Sequence, residues 1–255
     1  MAFTTYVINL DDQPGRYQAQ SSALIALDIY PVRVSGWRHE AITEDEMDRH
    51  FLPHAKWAMP RSNMGCCYSH IKTIEHFLHH DENDVALILE DDAYPKFTNR
   101  HELDARLHRE GDWDMLSLHC DGLCPRGKPL PLSGSAAAYF ITKEGARKIV
   151  NHRFQDQFDL ETNRMGNGFR KVIDDENSFW TDEDSVMSED KSTNRKKEAC
   201  PSVLRAIRGN RGEKNLCHGM SYKLFRVPLI GYEMTTWDFL TLLILVTVFL
   251  QILRS

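Results

Sequence analysis

The sequence predicts an α/β fold with a mainly parallel sheet, and three observations lead to this prediction. Over the first 150 or so residues, apolar runs of strand length alternate with segments whose apolar residues recur at helical spacing. The run from Val85 to Leu89 is continuously apolar, as expected for a strand buried on both faces of a sheet. Strands separated by helices form parallel pairs through right-handed crossovers. The length of 255 residues fits one domain of this class, although two small domains are possible.

The elements follow in order along the chain. We expect strands at Phe3–Leu10, Pro31–Val34, Val85–Leu89, Trp113–Leu118 and Ala137–Ile141. We expect helices at Gly15–Leu27, Gly65–His80 and Lys143–His152, the second because Ile71, Ile74, Phe77 and Leu78 recur at steps of three and four. Thr43, followed by three acidic residues, resembles a capped helix N-terminus. Beyond Asp174 the pattern fades until an apolar C-terminal segment, which we expect to form a hydrophobic helix.

Charge and hydrophobicity divide the chain into three predicted regions: the α/β domain over 1–173, a charged and partly flexible region over 174–234, and a hydrophobic segment over 235–255. Residues 174–190 contain eight acidic and no basic residues, and residues 191–214 contain eight basic and two acidic ones. Such blocks are typical of solvated segments, although the basic block could also contact donor phosphates or anionic lipid. The formal net charge of −6 argues against nucleic acid as a partner.

Six cysteines in 255 residues do not form a disulfide framework, and free thiols in a reducing compartment are the simpler expectation. A structural zinc site remains an alternative, because Cys120 and Cys124 are four residues apart and Cys217 is followed by His218.

The C-terminal segment predicts a membrane anchor. Phe239 to Leu253 is almost entirely apolar, and with Trp237 in front the segment has 17 residues, about 26 Å as a helix at roughly 1.5 Å per residue. This is at the short limit for crossing a bilayer, with Trp237 at one interface and Arg254 at the other. The alternative is a buried terminal helix. The first residues lead almost directly into a strand without the features of a signal peptide, so we expect a cytoplasmic catalytic domain anchored by its C-terminus.

The strongest chemical signal is the triplet Glu90-Asp91-Asp92 directly after the buried run Val85–Leu89. In open α/β sheets, ligands bind at the carboxyl ends of the strands. Three adjacent carboxylates repel one another unless a positive charge offsets them, and Mg²⁺ or Mn²⁺ is the natural counter-charge because both prefer oxygen ligands. The alternative is an acidic turn that closes the strand.

Four blocks resemble glycosyltransferase family 25, which includes bacterial lipooligosaccharide galactosyltransferases and collagen galactosyltransferases. The blocks are Leu89 to Asp92, Val7 to Asp11 with Arg16 downstream, Gly65 to His70, and Ser133 to Ile141 with Gly145-Ala146. Phe158-Asp159 matches the family more loosely. The resemblance covers about residues 3 to 165.

The resemblance implies a GT-A type fold and transfer of a hexose such as galactose, with inversion, from a UDP-sugar to a glycan, lipid-linked or protein hydroxyl. It implies that Glu90, Asp91 and Asp92 hold the metal and the donor's diphosphate, with Asp92 as the first choice for a direct ligand. The residues implied near the donor are Asn9, Arg16, Ser69 and His70. Asp159 is the matched candidate for the catalytic base, and Asp121 and Glu161 are unmatched alternatives.

Two other functional classes remain open. Another metal-dependent phosphoryl or nucleotidyl transferase could use the same acidic triplet, although the sequence contains no glycine-rich phosphate loop of the Gly-x4-Gly-Lys-Ser/Thr type. A catalytically inactive, membrane-bound scaffold of the same fold is the second alternative.

Overall fold

The computed structural model describes residues 2–109, 112–120, 135–166, 168–174 and 178–181, together with the backbone of two strands at 223–227 and 232–235. The chain divides into two compact units, Met1–Lys197 and Glu198–Ser255. In the second unit, Lys223–Val227 and Tyr232–Thr235 pair as antiparallel strands. The predicted C-terminal helix over 235–255 lies almost entirely outside the described residues, and among the described residues we find no helix long and apolar enough to cross a membrane.

The first unit alternates strands and helices as the sequence predicts. Its strands are β1 (Phe3–Asn9), β2 (Pro31–Ser35), β3 (Val85–Glu90), β4 (Ala93–Pro95), β5 (Met115–Ser117), β6 (Ala138–Thr142), β7 (Lys171–Ile173) and β8 (Phe179–Thr181). Its helices are α1 (Pro14–Ile25), α2 (Glu44–His50), α3 (Ala55–Ala58), α4 (Arg61–His80), α5 (Arg100–Arg109), α6 (Lys143–Val150) and α7 (Phe158–Arg164), with a 3₁₀ turn at His39–Ala41.

Six strands form the central sheet in the order β2-β1-β3-β6-β5-β7. β1 pairs in parallel with β2 and β3, and β5 pairs in parallel with β7. Only β6 among these six runs in the opposite direction, antiparallel to β3 and β5. The prediction of a mixed α/β fold with a mainly parallel sheet is therefore confirmed. β4 and β8 form a separate two-stranded antiparallel sheet.

Two hydrophobic cores cover the two faces of the central sheet. Alternate residues of a strand point to opposite faces, and in β3 Ala86 and Ile88 enter one core while Leu87 and Leu89 enter the other. The first core contains buried residues of α4, α6 and α7, and the second contains residues of α1 and α5. Helices α1 and α4 therefore lie on opposite faces, as expected when a chain crosses to either side of its first strand.

Local sequence explains several helix ends. Thr43 and Glu46 form the predicted capping box at the start of α2, with the side chain of each accepting a hydrogen bond from the other's backbone. Helix α4 begins at Arg61, four residues before the predicted start, because the polar residues after Pro60 continue the helix without an apolar signal. The sequence placed Ser69 and His70 in the first turns, near the positive helix end. That placement is wrong, since both residues lie in the middle of α4.

The thiol expectation holds for Cys66 and Cys67, which carry no disulfide. It is wrong for Cys120, which is disulfide-bonded.

Candidate functional site

The candidate site lies where β1 and β3 end side by side. From β1 the chain moves to β2 on one side, then returns past β1 to β3 on the other side. The carboxyl ends of such neighbouring strands border a crevice, and α/β proteins bind ligands there. Asn9 is the last residue of β1 and Glu90 is the last residue of β3, so the acidic triplet begins at this crevice.

Asp91 and Asp92 are both paired with one arginine of α1. The Nη2 atom of Arg16 lies 2.8 Å from Oδ1 of Asp91 and 2.9 Å from Oδ2 of Asp92. The two carboxylates are 10% and 19% exposed, so the pairing is only partly screened by water. The structure thus brings Arg16 into direct contact with the triplet, where the sequence placed it only near the nucleotide.

Asn9 links the ends of three strands. Its Nδ2 donates to Oδ2 of Asp91 at 2.7 Å and to the carbonyl of Gln13 at 2.8 Å, and its Oδ1 accepts from Nε of Arg33 at 2.9 Å. Arg33 also pairs with Asp11 at 2.6 Å. Because Asn9 is buried, these bonds fix its orientation and hold the Asp91 carboxylate in place.

A fully buried glutamine holds the backbone of the acidic turn. Nε2 of Gln20 donates to the carbonyls of Glu90 at 2.6 Å and Ala93 at 2.7 Å. Gln20 is four residues after Arg16, so both side chains leave the same face of α1. Sequence reasoning missed Gln20 and Arg33. Gln20 could have been predicted from its spacing of four residues after Arg16, whereas no feature of the sequence pointed to Arg33.

Glu90 points to the other side of the sheet, toward α4. Its Oε1 lies 3.1 Å from Nε2 of His70 and 3.7 Å from Sγ of Cys66. The other ring nitrogen of His70 lies 2.9 Å from the hydroxyl of Tyr139. Glu90 has the same parity as Ile88 in β3, which accounts for its direction. The structure therefore divides the acidic triplet between two environments.

Helix α7 borders the same region through its first residue. The ring of Phe158 stacks on that of His70, with centroids 4.6 Å apart and planes at 18°. Asp159 follows it, and one of its carboxylate oxygens accepts from the backbone N–H of Leu160 at 2.8 Å. Asp159 thus lies in the first turn of α7, adjacent to the residue that contacts His70.

Of the two alternative candidates for the catalytic base, the structure describes Glu161 but not Asp121. Glu161 is fully buried and its Oε1 lies 2.8 Å from Nε2 of His152, an arrangement that supports the fold. A carboxylate closed off from solvent in this way is a poor base for an acceptor that must enter from outside. Asp121 lies outside the described residues.

Ser69 joins α4 to the loop after β2. Its hydroxyl accepts from the backbone N–H of Trp37 at 2.7 Å and donates to the carbonyl of Gly65 at 2.8 Å. These bonds supply a structural reason for a serine here, and the expectation that Ser69 lies near the donor stays a prediction.

The charges at the crevice favour a cation. Two carboxylates, Asp91 and Asp92, share the single positive charge of Arg16, which is one charge fewer than the pair carries. Oxygen ligands of this kind suit Mg²⁺ or Mn²⁺. Among the described residues, however, Glu90 groups with Cys66 and His70 as a potential metal-ligand cluster, rather than with the two aspartates. Asp91 and Asp92 lie together on the Arg16 side, and the prediction that Glu90, Asp91 and Asp92 hold Mg²⁺ or Mn²⁺ stays a prediction.

No protein-family model matches the chain, and no curated protein matches it either. It is similar to solved structures at low identity. A197 from STIV is 15% identical, with a TM-score of 0.39 over 68% of this chain and 81% of that one. A glycosyltransferase involved in glycosylation of the major capsid of PBCV-1 is 10% identical, with a TM-score of 0.34 over 58% and 62%.

A third structure is a mutant of Drosophila β-1,4-galactosyltransferase 7 in complex with manganese, UDP-Gal and xylobiose. It is 11% identical, with a TM-score of 0.40 over 93% of this chain and 90% of that one. The function proposed below rests on the residues of the site.

Proposed function

We propose that the chain is a metal-assisted glycosyltransferase of the GT-A type that uses a nucleotide-diphosphate sugar. The observation that carries this proposal is the acidic turn at the crevice between β1 and β3, where Arg16 and Asn9 hold Asp91 and Asp92. A crevice at the carboxyl ends of parallel strands suits a nucleotide. An excess of carboxylates there suits a cation shared with phosphates. The resemblance to family 25 narrows the donor to a UDP-sugar and the reaction to inversion.

The residues on the α1 side bind the cation and orient the donor's diphosphate. Asp92 is the first choice for a direct ligand of Mn²⁺ or Mg²⁺, and Asp91 is the second. When bound, such a cation offsets the charge that builds on a leaving diphosphate. Arg16 keeps the two carboxylates in a fixed relation to each other, and its guanidinium adds a positive charge at the position expected for phosphate oxygens.

Asp159 is the proposed base. Its carboxylate would take the proton of the acceptor hydroxyl as that oxygen attacks the anomeric carbon. Its place supports the role, because Asp159 follows Phe158, which contacts His70, and His70 contacts Glu90 of the acidic turn. The stacked ring of Phe158 restricts the first turn of α7 and so helps to keep the carboxylate in position.

The proposal extends to where the protein is located in the cell and to the class of acceptor that it uses. We propose that residues from about Trp237 to Leu253 hold the protein to a membrane, with the catalytic domain on the cytoplasmic side. The basic residues from Arg195 to Lys214 would then lie close to anionic head groups. Such a position suits a lipid-linked or other membrane-proximal glycan acceptor.

A donor panel tests the function. Full-length protein is incubated with UDP-, GDP- and CMP-sugars, with and without Mn²⁺, and release of the free nucleotide is measured. We expect UDP release from one hexose donor, and loss of that release in chelator. Glu144→Gln is a suitable control, since Glu144 is 63% exposed on α6 and, among the described residues, pairs with Arg147 and Lys148 of the same helix.

The same assay separates the alternatives. Release of pyrophosphate from a nucleoside triphosphate, without release of UDP from any sugar donor, would indicate a nucleotidyl transferase. Absence of any turnover, with a folded protein and every donor tested, would contradict the enzyme and leave the scaffold.

A further inference from the structure

Three side chains of different chemistry meet on the α4 side of the acidic turn. Cys66 and His70 are four residues apart in α4 and therefore project from the same face of the helix. Glu90 reaches them from the end of β3. The Cys66 sulfur, a His70 ring nitrogen and a Glu90 carboxylate oxygen all lie within 4.8 Å of one another. A thiolate, an imidazole and a carboxylate are all groups that bind zinc in proteins.

Two of the three separations are close to those of tetrahedral coordination around one small ion. In zinc sites the metal lies about 2.3 Å from sulfur and about 2.0 Å from nitrogen or oxygen. Tetrahedral angles then place sulfur and oxygen about 3.5 Å apart, and nitrogen and oxygen about 3.3 Å apart. The Cys66 sulfur lies 3.7 Å from Oε1 of Glu90, and Nε2 of His70 lies 3.1 Å from the same oxygen. The third separation, between the Cys66 sulfur and a His70 ring nitrogen, is at most 4.8 Å, and it would close to about 3.5 Å around a bound ion.

We propose that Cys66, His70 and Glu90 form a zinc site with one open coordination position. Thiolate and imidazole ligands select zinc over magnesium, manganese and calcium, which prefer oxygen alone. Three protein ligands leave the fourth position to water or to a group of a bound molecule. Cys66 is exposed, so this position is accessible from solvent.

The surroundings of His70 already suit a metal ligand. Its Nδ1 lies 2.9 Å from the Tyr139 hydroxyl, and its ring is stacked on Phe158 and only 1% exposed. A metal-bound histidine almost always has its second nitrogen held by such a partner, which fixes the ring and its tautomer. In the zinc-bound form Nε2 would supply its lone pair to the ion and the single ring proton would lie on Nδ1, where it can donate to the Tyr139 oxygen; the thiol proton of Cys66 would pass to solvent.

The zinc site is chemically distinct from the cation site proposed for Asp91 and Asp92. Those carboxylates face Arg16 on the α1 side and offer only oxygen. Glu90 faces α4 and adds its oxygen to a sulfur and a nitrogen. The zinc site does not depend on the glycosyltransferase reaction, because its ligands and their geometry are the same whatever the crevice binds.

Metal titration of the full-length protein, after removal of metals and in reducing buffer without any donor, tests the proposal. Zn²⁺ is added in competition with a chromophoric chelator, and Co²⁺ is added in a separate experiment as a spectroscopic probe. We expect one tight Zn²⁺ per chain at this site and a thiolate-to-cobalt charge-transfer band in the near ultraviolet. Cys66→Ser should remove both signals.

The neighbouring Cys67 provides a matched control. Cys67→Ser removes one thiol from the adjacent position of the same helix, and it should keep the tight Zn²⁺ and the cobalt band. Cys67 is buried, so the melting temperature of each variant is compared with that of the wild type. Tyr139→Phe keeps the ring and all three ligands, and it should weaken zinc binding about 10- to 100-fold while keeping the band.

A cobalt–thiolate band that survives in Cys66→Ser would overturn the proposal, because another cysteine would then supply the ligand. Equal zinc affinity in Cys66→Ser and Cys67→Ser would overturn it too, as would the absence of tight binding in the wild type. A zinc result and a donor-panel result are separate. Loss of zinc binding with normal donor turnover would contradict only the zinc proposal. Loss of donor turnover with normal zinc binding would contradict only the glycosyltransferase proposal.

Discussion

The carboxylates of one three-residue motif, Glu90-Asp91-Asp92, contact different side chains on the two sides of the acidic turn. On the α1 side, Asp91 and Asp92 share the guanidinium of Arg16 and remain partly exposed. On the α4 side, Glu90 meets a buried imidazole and a thiol, both of which can be neutral. Neighbouring carboxylates can therefore serve different chemistry when a strand end directs them to opposite faces of a sheet.

This difference has a consequence for reading acidic motifs. Adjacent carboxylates in sequence suggest one metal site, but the helix on each face of the sheet decides what each carboxylate meets. Here α1 supplies a cation and an amide, and α4 supplies ligands for a softer metal. The predictions below separate the two sides by experiment.

The largest effect is expected at Asp92. Asp92→Asn keeps the shape of the side chain but removes its negative charge and a proposed metal ligand. We expect the rate of transfer to fall about a thousandfold, which corresponds to roughly 4 kcal/mol of lost stabilisation. Metal-dependent release of UDP measures this. Asp48→Asn, a change at a 63% exposed surface residue, is the control. Near-normal activity of Asp92→Asn in metal-free buffer would remove Asp92 from the site.

The second effect concerns a buried charge beneath α7. Burial lowers the pKa of Lys171 to about 8 from its ordinary 10.5, and the nearby Asp159 only partly opposes this. Between pH 8 and pH 10.5 the unfolded chain binds more protons at this lysine than the folded chain does, so raising the pH stabilises the fold. We expect a gain of up to about 3 kcal/mol from pH 8 to 10.5, which Lys171→Met should remove.

Urea denaturation of both proteins across this pH range measures the Lys171 effect. Lys72→Met, at a lysine that is 33% exposed and paired with Glu75, is the control and should keep the rise. An identical pH profile for wild type and Lys171→Met would show that the buried amine does not titrate in this range.

The third effect separates binding from turnover. Asp159→Asn should lower kcat roughly a hundredfold, because a general base acts in the transition state. Affinity for the donor should be unchanged, since Asp159 belongs to α7 and not to the α1 side. Steady-state kinetics on the true acceptor, with calorimetry of UDP binding, measures both quantities. A normal kcat would exclude Asp159, whereas a large loss of UDP affinity would assign it to donor binding.

The smallest effects are expected at two glycines, one in each of the helices α4 and α1 on the two sides of the acidic turn. A Cβ on Gly65 in α4 would lie 2.7 Å from the backbone oxygen of Trp37, whereas a Cβ on Gly15 in α1 would have nothing within 4 Å. We expect Gly65→Ala to destabilise by about 2 kcal/mol and Gly15→Ala to stabilise by about 0.5 kcal/mol. Thermal unfolding measures both. Equal effects would mean that the loop after β2 yields easily and is not packed firmly on α4.

The sequence predicted most of the central sheet, because its strands carry unbroken apolar runs and its helices carry clear periodicity. It missed α5 and α7, whose short sequences are largely polar, and it missed β4, β7 and β8, which have three residues each. At the candidate site, the family resemblance singled out Asn9, Arg16 and His70, and the structure places all three in contact with the acidic triplet, while their role toward a donor stays a prediction. The sequence could not show that Glu90 turns away from the aspartates, because that depends on the face from which each helix approaches.

The bonds from Gln20 have a consequence for the time course of ligand binding. One buried amide holds the carbonyls of Glu90 and Ala93, so the backbone at both ends of the acidic turn is fixed in the free protein. A turn that is already ordered loses little conformational entropy when a ligand arrives. Nucleotide association at this turn should then be a single step whose observed rate rises linearly with concentration, limited by encounter and orientation and not by a preceding rearrangement.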